Sequence, residues 1–170
     1  MTTTSNRTRE EWLRAVEALL RPYRHRVGYG NLRYQATEWN SGGEKTTNLA
    51  VVYELPGGST NQINVSYNHA TSRFSFLGLD ADAEQVSTDP QQAMTMLEQA
   101  IREIPQRRLQ RLYEDIERWF GEGKTSHEMF QEINSLLQTD FKGGSLTHQE
   151  LKAGINHVLK LGGRSTPPEQ

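Results

Sequence analysis

No cysteine occurs in the 170 residues, which excludes a disulfide scaffold, thiolate-held zinc, iron–sulfur clusters and any thiol nucleophile. No apolar run approaches the roughly 18 residues a membrane-spanning helix needs. Bulk charge of one sign is lacking too: 19 basic against 21 acidic side chains leave a net of -2, so the whole chain is not a polyanion binder. Apolar residues are scarce, at 34% with a mean hydropathy of -0.76, a composition that raises the question of disorder. Trp, Leu, Ile, Phe and Val nevertheless recur at regular spacing through the interior, which argues for a packed core. Disorder is expected only at residues 1–7 and 162–170. The first eight residues contain no apolar stretch, so a secretory signal is not expected and a cytoplasmic location is.

What charge there is sits unevenly. Residues 1–35 carry seven Arg against three Glu, whereas residues 36–105 carry three basic against nine acidic side chains. The N-terminal segment is therefore a local anion-binding candidate.

Thr8-x-x-Glu11 has the form of a capping box ahead of an apolar stripe at Trp12, Val16 and Leu19. Pro22 disfavours helical geometry at Arg21, so a helix is expected over 9–21. An antiparallel meander follows, with strands over 32–39, 47–55, 61–67 and 73–77 separated by Gly-, Pro- and Asn-containing turns. Asp89-Pro90 starts the next helix, and Pro105 breaks it. A strong amphipathic helix runs through Leu109, Leu112, Ile116 and Trp119. Two more helices open on capping boxes at Thr125-x-x-Glu128 and Thr147-x-x-Glu150 and resemble each other as a weak repeat. The expected class is α+β: an N-terminal helix, a four-stranded antiparallel meander and a covering helix over 8–104. A C-terminal unit of about three helices should follow over 105–161.

Several motifs invite chemistry. Gly121-Glu122-Gly123-Lys124-Thr125 ends like a phosphate-binding loop, but Arg118 stands where the first glycine belongs and a helix precedes it, so it reads as a helix–helix connector. Thr139 to Glu150 has the length of a calcium loop. Thr139, Phe141 and Gly143 occupy its ligand positions, leaving Glu150 as the one charged ligand. Asp80, Asp82 and Glu84 alternate after the last strand and read as a solvated acidic loop. No two histidines fall at i, i+4 on a helix. A catalytic role, a metal and a cofactor are therefore not expected.

Val27 to Tyr34 partly matches the aromatic strand of an RNA-recognition motif. That fold needs a strand and a helix first, and only one helix precedes, so the family signature fails. Its chemistry remains. Arg21, Arg24, Arg26 and Arg33 interleave with Tyr23, Tyr29 and Tyr34, a mixture that can grip phosphate and stack bases, or grip an acidic protein.

The expected function is a non-enzymatic protein-interaction module: an adaptor, a chaperone-like protein or a regulatory subunit. It would act through a sheet edge and through helical apolar surface at Trp119, Phe120, Met129 and Phe130. The order helix–sheet–helix with an acidic middle is shared, as an architectural analogy, with small secretion chaperones and adaptors, which suggests a homodimer. The alternative is single-stranded nucleic-acid binding by segment 21–34.

Overall fold

The computed structural model describes residues 2–24, 26–57, 59–77, 85–87, 89–138 and 146–164. The chain is α+β and forms two compact units. The first comprises residues 1–26, 32–53 and 61–103, and the second residues 27–31, 54–60 and 104–170. The change of unit near 103 falls where Pro105 interrupts the helical pattern. Two short pieces of the N-terminal half, 27–31 and 54–60, nevertheless belong with the C-terminal helices.

In the first unit, helix α1 (Thr2–Arg24) precedes five strands, β1 (Arg33–Ser41), β2 (Glu44–Glu54), β3 (Thr60–Asn68), β4 (Arg73–Leu77) and β5 (Gln85–Ser87), and then helix α2 (Pro90–Arg102). The strands lie in chain order, β1-β2-β3-β4-β5, with β1 and β5 at the edges. Alternation puts Leu49, Val51, Tyr53, Ile63, Val65, Tyr67, Phe74 and Phe76 on one buried face. Trp12, Val16 and Leu20 of α1 and Leu97 and Ile101 of α2 are buried with them. Trp12 stands edge-on to Phe74 at 5.2 Å between ring centres, and Phe74 lies 4.6 Å from Tyr67. Each such side chain removed from water contributes about 1.5–3 kcal/mol.

Three expectations are corrected here. Helix α1 is already formed at Thr2, so it covers most of the segment expected to be disordered, and Thr8 lies within it instead of capping it. The same helix continues through Pro22 to Arg24. That last turn is held by a tertiary contact, the buried Tyr23 hydroxyl donating to Glu98, and by an ion pair within the helix, Arg24 with Glu17 at 3.0 Å. Finally, a fifth strand pairs with β4 through Ser75↔Val86. Asp80, Asp82 and Glu84 lie outside the described residues.

In the second unit, α3 (Ile104–Gly121), α4 (Ser126–Gln138) and α5 (His148–Arg164) pack around Leu112, Ile116, Trp119, Met129, Ile133, Leu146, Val158 and Leu161. Pro105 sits in the first turn of α3, where its missing N–H costs nothing. A Schellman closure ends α3, with the Lys124 amide reaching the Trp119 carbonyl and the Gly123 amide reaching Phe120. Both downstream capping boxes form: the Thr125 and Thr147 hydroxyls accept from the Glu128 and Glu150 amides, each at 3.1 Å. Helix α5 reaches Arg164, past the expected start of the disordered tail. No helix of the described residues is long and apolar enough to cross a membrane.

Candidate functional site

Strand β1 is the outer strand of the meander and runs nine residues, while the opposite edge strand has three. The β1–β2 hairpin closes on Gly42 and Gly43, both at positive φ (59° and 83°), the geometry of a two-residue type I′ turn that glycine adopts without strain. Ser41 faces Glu44 across that turn, so this pair exchanges both ladder hydrogen bonds and the pattern alternates from there. The main-chain groups of Tyr34, Ala36, Glu38 and Asn40 therefore point away from β2. Residues Gln35 to Asn40 are all exposed, and Trp39 among them shows 51% of its surface to solvent.

A groove of about 530 Å³ lies alongside, lined by Glu10, Leu13, Arg14, Glu17 and Arg21 of α1 and by Tyr34 of β1. Spacings of four, three and four residues put Glu10, Arg14, Glu17 and Arg21 on one helix face. Its charges are unequally engaged. Arg24 grips Glu17 and, with Arg21 adding to the field, holds its carboxyl below the usual range. The Tyr34 hydroxyl also bonds Glu17, and burial followed by that neighbouring charge pushes the phenol up. Glu38 is held from two sides by Arg9 and Lys45. Arg14 and Arg21 are exposed.

The Arg/Tyr segment is only partly assembled. Arg21 and Tyr34 share the groove. Tyr23 is buried, its hydroxyl donating to Glu98 at 3.4 Å and accepting from Arg102 at 3.2 Å, so its ring is not a stacking platform for a base. The exposed Arg26 covers that ring at 5.0 Å. Arg24 is engaged by Glu17, and Arg33 is half-buried. Tyr29 is half-buried in the second unit, within a turn segment where Gly28, Gly30 and Asn31 all take positive φ. Residues 27–31 are thus not an aromatic strand, and pairing in β1 begins only at Arg33.

The helical candidates divide in two. Trp119 and Met129 are buried in their own unit's core, and Phe120 and Phe130 pack against it. Trp119 and Met129 are thus core residues, while Phe120 and Phe130 are half-buried. The end of the calcium-like loop is likewise occupied. Arg108, fully buried, donates to Glu150 through two parallel bonds of 3.0 Å. Glu150 also accepts the Thr147 amide at 2.9 Å. Its carboxylate is committed to the protein, and residues 139–145 of that loop lie outside the described residues. Among the described residues, no group of three His, Asp or Glu could hold a metal ion. A second cavity of about 520 Å³ has Glu150 on its wall together with Val27, Pro105, Leu109, His148 and Gln149.

Trp39 and the groove face of α1 are the parts that reading the sequence missed. Their signal is faint: a lone Trp on the otherwise polar face of a strand, and a charged helix stripe with Leu13 beside it. Comparison with protein-family models, with curated proteins and with solved structures finds no match to this chain.

Proposed function

We propose that this chain is a non-enzymatic protein-interaction module, adaptor or chaperone-like in use, that captures a partner by adding the partner's strand to the edge of β1. The observation that supports it is the edge itself: nine residues long, exposed from Gln35 to Asn40, and carrying a half-exposed Trp39. Natural edges of this length are usually blunted, covered or shortened, because unpaired main-chain groups template further pairing. Partner main-chain hydrogen bonds would supply affinity there, and pockets for alternate side chains would supply selectivity. Burial of Tyr23 and engagement of Arg24 weigh against the alternative, single-stranded nucleic-acid binding by segment 21–34.

The test compares the full chain with Ala36→Pro. Proline removes an amide that points away from β2, and an edge position of this kind tolerates it. A protein recovered from native lysate that survives nuclease and moderate salt, and is lost in the variant, supports the proposal. Material lost on nuclease treatment and retained by Ala36→Pro overturns it in favour of nucleic acid.

A further inference from the structure

We infer that the strand β1 accepts alternates acidic with apolar side chains, the acids entering the α1 groove and the apolar residues covering Trp39. This rests on the edge reading above and specifies the partner's chemistry. Successive strand residues face opposite sides, so Tyr34 and Trp39, five positions apart, belong to different faces of β1. Tyr34 lines the groove with α1, and Trp39 therefore faces away from it. An added strand keeps the same alternation, and its two sets of side chains meet two different surfaces.

The groove side is cationic in what it offers. Of its two acids, Glu17 is already held by Arg24 and Tyr34, which leaves Glu10 against the exposed Arg14 and Arg21. These two arginines stand seven residues apart, about 10 Å along the helix. Groove-facing positions of an extended strand recur at about 6.7 Å, so two neighbouring acids lie within the reach of flexible arginine stems. Leu13, one residue before Arg14, also lines the groove and offers apolar contact to the stems of Glu side chains. The opposite side offers the Trp39 ring, an apolar platform suited to Val, Ile or Phe. A second copy of the chain is a poor occupant, because β1 brings only Glu38 as an acid and Arg9 and Lys45 already hold it.

The probes are two labelled synthetic peptides of the length of β1, one alternating Glu with Val and the other Lys with Val. Binding to the full chain is followed by fluorescence anisotropy. The acidic peptide is expected to bind more tightly and to weaken as salt rises. Arg14→Glu with Arg21→Glu should cost it about tenfold, as two exposed charge pairs imply, and Trp39→Ala should weaken it independently of salt. Equal binding of both peptides, or tighter binding of the basic one, with both abolished by Ala36→Pro, overturns the charge assignment and leaves the edge reading standing. Failure of both peptides to bind, or binding indifferent to Ala36→Pro, overturns both. The arginine variants change exposed helix positions, so they keep the test valid even if Ala36→Pro fails to fold.

Discussion

The two units differ in whether they bury an ion pair. In the first, the ion pairs are peripheral: Arg24 with Glu17 and Arg102 with Glu98 are each about a third exposed or more. They surround an aromatic and aliphatic core with no buried charge among its described residues. The second unit places Arg108 at its centre, with 0% of its side chain exposed. Arg108 takes the Glu150 carboxylate with two nitrogens and the Glu54 carbonyl with the third. Glu54 in turn receives Asn31 on its side chain, and its amide reaches the Gly30 carbonyl at 2.7 Å. One guanidinium thus ties Glu54, and through it Gly30 and Asn31, to helices α3 and α5. The lesson is that a rim of adjustable charges on a rigid apolar base suits recognition, whereas a buried, fully bonded charge specifies architecture.

Breaking the second unit should cost the most. Arg108→Ala leaves Glu150 buried without its partner and is expected to destabilise by about 3–5 kcal/mol in urea unfolding. Replacing both partners, as Arg108→Met with Glu150→Leu, should recover most of that loss while loosening segment 54–60, visible as faster amide exchange there. Gly30→Ala comes next. Gly30 has φ +63, and an added Cβ would collide with the Glu54 main chain, so about 2 kcal/mol of strain is expected, measured the same way.

Changes in the first unit should be milder. Tyr23→Phe removes the hydrogen bonds to Glu98 and Arg102 but keeps the ring, costing about 1 kcal/mol. His69 supplies a pH signature. Its ring nitrogen lies 2.8 Å from the Thr47 hydroxyl, and burial, then Lys45 and Arg9, lower its affinity for a proton below the ordinary value of 6.5. The unfolded chain therefore takes up that proton first as pH falls. Its contribution to stability is present above 6.5 and is lost as pH drops through and below that value. Denaturation midpoints measured across this range should decline, and His69→Gln should flatten the decline. Trp39→Ala sharpens the contrast from the other side. Its stability should stay within about 0.5 kcal/mol of the parent, and only binding at β1 should suffer.

What the sequence made legible follows the range of the forces involved. The capping boxes at Thr125 and Thr147 and the start at Asp89-Pro90 are local chemistry, and each forms as its spacing predicts. Strands β2 to β4 announce themselves through alternation, since one face had to be buried. Pro22 misled because Tyr23 holds the last turn of α1 through Glu98 and Arg102, partners more than seventy residues away. Strand β5 offers only Val86 as an apolar residue and owes its existence to pairing with β4. Arg108 had a signal after all: Ile104, Arg108, Leu112 and Ile116 recur every four residues along one buried stripe. A cation in that series reads as solvated until its partner, 42 residues on, is known. The groove face of α1 was hidden for the converse reason, since exposed charges on a helix look alike until a strand edge lies beside them.

Amide hydrogen exchange, resolved by residue in NMR spectra of the full chain with and without the Glu–Val peptide, tests the central claim most directly. The outward amides of Tyr34, Ala36, Glu38 and Asn40 should exchange fast in the free chain and be slowed together when the peptide is present. Unchanged exchange at these four positions under saturating peptide, or protection appearing instead among α3, α4 and α5, would contradict the account.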